Sequence, residues 1–132
     1  MVYLIDTHAS IWAISEKEKL SALVLSILED KNNRIIVSHI SLFEIAIKLK
    51  IGKLTEFKSS LSEFIEAIYN TQFELLPLKE EHFITYSKLH FSDQHKDPFD
   101  RLLAAVAVFE NATFITKDEK LKLFKPDLRT VW

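Results

Sequence analysis

Four acidic residues, far apart along the chain, are of the type that together holds a divalent cation: Asp6, Glu44, Asp100 and Asp118. Carboxylates brought close together repel one another, and burial makes each of them harder to ionise. A cation resolves that conflict, and a site made only of carboxylate oxygens selects Mg²⁺ or Mn²⁺ over zinc. Such a metal can activate water for hydrolysis of a phosphodiester bond.

The predicted elements place these acids at one edge of a sheet. Asp6 directly follows the first predicted strand, and Asp118 lies just past the end of the fourth. Glu44 lies one turn into the helix after the second strand, and Asp100 lies in the first turn of the helix that leads into the fourth strand. Ligands of an open parallel sheet bind outside the carboxyl ends of its strands. If the first and fourth strands are neighbours, the three aspartates face one another there and Glu44 approaches from an adjacent helix.

Short apolar strands alternate with helical segments along the whole sequence. Predicted strands cover residues 2–5, 34–38, 73–76, 113–116 and 128–131, and predicted helices cover residues 9–14, 20–30, 41–50, 60–69, 79–89, 98–109 and 117–124. This alternation predicts one α/β domain over residues 1–132. Its parallel sheet of about five strands has helices on both faces, as in a Rossmann-like sandwich.

Three helix boundaries carry sequence signals of their own. Asp97 before Pro98 fits an N-cap, so we interpret Asp97 first as a cap and only second as a site residue. Ser41 and Glu44 have the spacing of a capping box, and a glutamate that served only this box would be structural. Gly52 is typical of a residue that ends the same helix.

Several other side chains have two interpretations each. Arg101 either pairs with a neighbouring acid or contacts a phosphate, and the sequence supports both equally. A basic stripe is more often a solvated helix face than a track for RNA, and here it comprises Lys48, Lys50 and Lys53. Trp12 and Phe43 lie on apolar helix faces, which favours the core over a platform for stacking bases. The five histidines lack the H-E-x-x-H spacing of a metal site, and His95 is the least certain of them.

The composition excludes several classes of protein. The 132 residues suffice for one domain with a full core, and 48% hydrophobic with 27% charged residues is typical of a globular protein. The lack of cysteine excludes disulfides and thiolate zinc sites, and no apolar run is long enough to cross a membrane. A strand directly after Met1 leaves no room for a signal peptide, so a cytoplasmic location is expected by default.

The net charge also limits how nucleic acid could bind. A charge of −2 argues against binding through bulk charge alone. If four acids are assigned to a metal, the remaining residues carry a net charge of +2. The net charge therefore does not exclude a metal-dependent site for nucleic acid.

Ordered motifs resemble those of a known family. They are Asp6-Thr7-His8, Ser41–Lys48 followed by Gly52-Lys53-Leu54, Asp97–Leu103, and Thr116-Lys117-Asp118. Together they resemble the PIN-domain ribonucleases, specifically the VapC-like toxins of bacterial toxin–antitoxin pairs. The likeness covers nearly the whole chain.

The resemblance implies a PIN-like fold and a Mg²⁺- or Mn²⁺-dependent endoribonuclease that hydrolyses RNA. The family's four catalytic and metal-binding acids fall on Asp6, Glu44, Asp100 and Asp118. Asp97, Thr7 and Thr116 take accessory places in the motifs, and Arg101 and Lys48 become candidate contacts to RNA. The resemblance also implies a homodimer that a cognate VapB-like antitoxin neutralises.

Two other functions compete with this one. A non-catalytic α/β module could use the acids to bind metal or protein, but a degenerate copy would be expected to lose part of the acidic quartet. A phosphotransfer enzyme could form an aspartyl phosphate on Asp6, but the Asp-x-Asp pair expected after the first strand is missing.

Overall fold

The computed structural model describes residues 1–55, 57–91, 96–124 and 127–132, so His95 lies outside the described part. The strands are β1 (Val2–Ile5), β2 (Arg34–Ser38), β3 (Glu74–Leu76), β4 (Thr113–Ile115) and β5 (Thr130–Val131). The helices are α1 (Thr7–Ser15), α2 (Ala22–Glu29), α3 (His39–Lys50), α4 (Leu61–Tyr69), α5 (Glu80–Lys88) and α6 (Pro98–Phe109). Short 3₁₀ turns cover Lys17–Lys19 and Glu119–Phe124.

The five strands form one parallel sheet in the order β3-β2-β1-β4-β5. The first strand lies at its centre, where Leu4 is paired with Ile36 of β2 and Phe114 of β4. The predicted fold class is therefore confirmed. The neighbouring positions of β1 and β4 also meet the condition on which the convergence of the acids depended.

The central strand has a separate core on each of its faces. Ile5 belongs to a cluster with apolar residues of α1, α2 and α4, whereas Leu4 belongs to a cluster with α6. This alternation follows from the period of two along a strand. Each fully buried leucine or isoleucine of the sheet stabilises the fold by about 1.5–3 kcal/mol relative to exposure. The helices thus cover both faces, as predicted.

The start of α3 differs from the prediction. The helix begins at His39, directly after β2, and the Ser38 hydroxyl caps it by accepting a hydrogen bond from the Ile40 N–H at 3.1 Å. The predicted capping box of Ser41 and Glu44 is wrong, because both residues lie inside the helix and are buried. Ser38, the last residue of β2, already caps the helix, so the helix starts directly after it and not at Ser41.

None of the helices in the described part of the chain is long and apolar enough to cross a membrane.

Candidate active site

Asp6 lies where β1 passes into α1. Its backbone N–H donates to the Ile115 carbonyl at 3.0 Å, which extends the pairing of β1 with β4 by one residue. Its carboxylate caps α1 by accepting the Ala9 N–H at 2.8 Å. Burial raises the pKa of Asp6 above its ordinary value, although hydrogen bonds from the Thr116 hydroxyl and from the Ala9 N–H oppose that change.

Asp118 lies past the end of the neighbouring strand β4. Its N–H donates to the Thr116 hydroxyl oxygen at 3.1 Å, and its carboxylate accepts the Lys120 N–H at 2.9 Å. Because the Thr116 hydroxyl also bonds to the Asp6 carboxylate, one buried threonine links the segments that carry the two aspartates. The accessory role of Thr116 stays a prediction, and its hydroxyl lies between the two segments that carry Asp6 and Asp118.

Glu44 enters from α3 and is buried. The Thr7 hydroxyl donates to one of its oxygens at 2.7 Å and lies 2.9 Å from the Ser41 hydroxyl. The other oxygen forms an ion pair with the Lys48 ammonium at 2.9 Å, one turn along the helix. Both carboxylate oxygens are thus held by this chain's own side chains, which fixes the position of the glutamate.

Asp100 carries the clearest electrostatic sign of a site. It lies in the first turn of α6, where the Asp97 carboxylate accepts the N–H groups of Phe99 and Asp100 at 2.8 and 3.2 Å, as predicted for an N-cap. The pKa of Asp100 is raised from 3.8 to about 7, first by burial and then by four neighbouring negative charges: Asp97, Glu44, Asp118 and Asp6. All the predicted acids therefore act on one carboxyl group, at the carboxyl ends of β1 and β4.

The arrangement fits a small divalent cation. Within the described ranges no three histidine or acidic side chains are gathered tightly enough to enclose an ion by themselves. Mg²⁺ is usually bound by one or two carboxylates and keeps several waters, so a loose set of oxygens suits it. Burial is the main cause of the raised pKa of Asp100, and the neighbouring negative charges, which add to it, are what a cation would relieve.

The two candidate contacts to RNA have different surroundings. The Lys48 side chain is only 26% exposed and pairs with Glu44, so it faces the site and is not part of a solvated stripe. The Arg101 guanidinium lies over the Phe91 ring, 5.0 Å from its centroid. Lys50 and Lys53 are exposed, as the solvated-face interpretation expects.

The two aromatic predictions had different outcomes. Phe43 is 58% exposed and its ring lies 5.9 Å from that of Phe99, so its placement in the core was wrong. Trp12 packs against the core cluster to which α1 contributes, as predicted, but it also lines a cavity. The buried side of α3 carries Ile40, Ser41, Glu44 and Ile45, and this helical spacing could have shown that Phe43 faces away.

The sequence interpretation also missed His8. This residue follows Asp6 by two positions, and its charge lowers the pKa of that aspartate, though by less than burial raises it. The Asp6-Thr7-His8 motif contained the signal, because residues in the first turn of a helix that begins at a sheet edge lie close to the residue that ends the strand.

Comparisons by sequence and by structure both find matches to this chain. The sequence model of the PIN-domain family matches residues 3–125. None of the curated proteins matches the chain. Among solved structures, one chain of the Rickettsia felis VapBC2 complex bound to promoter DNA is 25% identical, with a TM-score of 0.74 and coverage of 99% of this chain and 98% of that one.

Two further structures share the fold. A chain of VapBC-1 from nontypeable Haemophilus influenzae is 24% identical, with a TM-score of 0.68 and coverage of 99% and 97%. A chain of VapBC-5 from Mycobacterium tuberculosis, described as a member of the VapBC family of toxin–antitoxin systems, is 15% identical with a TM-score of 0.67 and coverage of 98% and 97%.

Proposed function

The chain belongs to the PIN-domain family, and from this premise we propose that it is a Mg²⁺- or Mn²⁺-dependent endoribonuclease, the toxin of a bacterial toxin–antitoxin pair. The observation that carries the proposal is the action of four acidic charges on the half-buried Asp100 carboxyl, whose pKa they help to raise. A structural cap would need one acid at the start of α6, and Asp97 already supplies it.

Asp6, Glu44, Asp100 and Asp118 would hold the cation, with Asp97 in an accessory place. When bound, the cation would supply an activated water and stabilise the charge that develops on the phosphate. Thr7 holds the Glu44 carboxylate, and Thr116 holds the segments that carry Asp6 and Asp118. These contacts keep the acids oriented before RNA arrives, which lowers the reorganisation needed for hydrolysis.

Lys48 and Arg101 would help to bind the RNA backbone. Lys48 lies beside Glu44 and reduces the negative charge that an approaching phosphate meets. Arg101 follows Asp100 on α6 and can present its planar guanidinium to phosphate oxygens. Both residues lie close to the acids in sequence and on the same helices.

We propose a VapB-like antitoxin as the protein partner, since the three solved structures compared above are VapBC structures. An arginine or lysine of the antitoxin placed near the acids would relieve the same repulsion that a metal relieves. Metal and antitoxin would then compete, and antitoxin affinity should fall as Mg²⁺ rises. The toxin itself is proposed to be a cytoplasmic homodimer.

Cleavage of single-stranded RNA by the purified protein tests the proposal. We expect cleavage with Mg²⁺ or Mn²⁺, none in EDTA, and none in the Asp100→Asn variant, whereas the exposed Asp127→Asn variant serves as the matched control and keeps full activity. Undiminished cleavage in EDTA would refute the metal mechanism. A protein that cuts no RNA but still binds metal would favour the non-catalytic module.

The toxin role has its own test. Expression without antitoxin should arrest bacterial growth, and alanine at Asp6, Glu44, Asp100 and Asp118 should abolish the arrest. Growth arrest that persists in the quadruple variant would separate toxicity from catalysis.

A further inference from the structure

A cavity of about 250 Å³ lies beside α1. His8, Ile11 and Trp12 of α1 form one wall, and Lys53, Leu54 and Phe57 from the segment after α3 form another. The cavity thus combines flat apolar surfaces with basic groups. Neither the acidic site nor the hydrophobic core accounts for this combination.

The Trp12 indole is the central feature of this cavity. The ammonium groups of Lys19 and Lys117 each lie 5.9 Å from its ring centroid, and the His8 ring lies 6.1 Å away. Trp132 meets it edge to face at 6.0 Å. These contacts hold the indole in one orientation, and the part of the ring that lines the cavity is the surface a base would contact.

The cavity borders the acidic site through two residues. His8 is close enough to Asp6 for its charge to act on that carboxylate, and it also lines the cavity. Lys117 lies between Thr116 and Asp118 and reaches over the Trp12 ring. His8 and the Trp12 ring thus connect the cavity to the segments that carry Asp6 and Asp118.

We propose that this cavity binds one nucleotide of single-stranded RNA, flanking the cleaved bond, with its base against Trp12 and its phosphates near Lys53 and Lys117. The inference rests on the proposed ribonuclease function and names the part of the substrate that this surface takes. Aromatic side chains beside lysines are the usual means of holding single-stranded nucleic acid, because every base has a face that stacks. Glu16 pairs with Lys19 at 2.8 Å, so part of the positive charge is balanced.

The charge of the whole protein makes a local site necessary. At a net charge of −2 the chain has no general attraction for RNA, and the acids beside the cavity repel phosphate. Binding must then come from a few groups that lie next to the reacting bond. A peptide backbone carries no charge that Lys53 and Lys117 could pair with, whereas each nucleotide brings a phosphate.

Tryptophan fluorescence tests the proposal directly. The chain has two tryptophans, so a Trp132→Phe variant leaves Trp12 as its one indole, and an added Asp100→Asn change prevents cleavage. We expect a short single-stranded oligoribonucleotide, added with Mg²⁺, to quench this fluorescence in a saturable way. Lys53→Gln and Lys117→Gln should each weaken binding and reduce the salt slope by about 0.7, whereas the exposed Lys31→Gln variant serves as the matched control.

Cleavage kinetics provide the second arm. In the otherwise native protein Trp12→Ala should raise KM for RNA by about tenfold, the scale of one lost stacking contact, with kcat largely kept. Trp12→Phe should restore most of the affinity, which a merely structural role of the indole would not predict. Melting temperatures of both variants show whether the fold survives.

The outcomes separate this inference from the proposed function. Cleavage with unchanged KM in Trp12→Ala, together with no quenching, would overturn the nucleotide site and leave the ribonuclease intact. Quenching by RNA without any cleavage by the native chain would support the site and refute the ribonuclease. A Trp12→Ala variant that loses only antitoxin binding would assign the cavity to the protein partner and overturn the proposal.

Discussion

Replacing Asp100 by asparagine should stabilise the metal-free protein while abolishing its activity. The pKa of this carboxyl rises from 3.8 to about 7, first through burial and then through neighbouring acids. At about 1.4 kcal/mol per pKa unit, the full shift corresponds to about 4 kcal/mol at neutral pH. Because the group is partly exposed and solvent screens its charge, we expect a gain of about 1–2 kcal/mol in the free energy of unfolding.

The pH dependence of this gain follows from the direction of the shift. Below pH 3.8 the carboxyl is protonated in both the folded and unfolded states, so it contributes nothing. Between pH 3.8 and 7 the unfolded chain loses the proton while the folded chain keeps it, so stability falls as pH rises. The difference in melting temperature between Asp100→Asn and the native protein in EDTA should therefore be small near pH 4. Near pH 7.5 it should reach roughly 3–8 °C.

Mg²⁺ should reverse the order of the two proteins. A cation that binds only the folded state raises its stability by mass action, and the native site gains more from it than the variant. Asp127→Asn, an exposed change of the same type, should behave as the native protein under all these conditions. An Asp100→Asn protein that melts well below the native protein in EDTA at pH 7.5 would refute the argument and make Asp100 a structural residue.

Three further predictions concern single contacts. Thr7→Val removes the hydroxyl that donates to the buried Glu44. The free energy of unfolding measured in urea should therefore fall by about 1–2 kcal/mol, and RNA cleavage should fall as well. Ser60→Ala removes the capping box of α4, and the same assay should show a loss of about 1 kcal/mol with cleavage unchanged. Burial lowers the pKa of His82 below 6.5, so the native protein should lose stability in urea as pH falls below that value, and His82→Leu should lack this component.

Each of these has an outcome that contradicts it. Thr7→Ser should keep both stability and cleavage, and equal losses in both Thr7 variants would mean that shape and not the hydroxyl matters. A change in cleavage by Ser60→Ala would place α4 in the active site. Equal pH slopes for the native protein and His82→Leu would show that another group titrates in this range.

The sheet and the acids could be predicted because their signals are local. A buried strand followed at once by a polar residue marks the sheet edge, and Asp97 before Pro98 marks a helix start, so the positions of Asp6 and Asp100 followed from short windows of sequence. The rest depended on tertiary contacts. Ser41 and Glu44 have capping-box spacing, but Ser38, where β2 passes into α3, already caps the helix by accepting the Ile40 N–H.

The cavity beside Trp12 was harder to foresee for a different reason. Its walls come from α1, from the turn after α1 and from the loop after α3, and no spacing rule connects these segments. An aromatic residue can pack against the core on one side and face a cavity on the other. Apolar periodicity detects only the first of these, so Trp12 was assigned to the core alone.

The direct passage from β2 into α3 makes Glu44 intolerant of insertions and deletions. Since the helix begins at the residue after Ser38, no loop exists in which an added residue could be absorbed. Each residue inserted between Ser38 and Glu44 would turn the glutamate by about 100° around the helix axis. The first two turns of α3 must therefore keep their residue count for Glu44 to keep its contacts with Thr7 and Lys48.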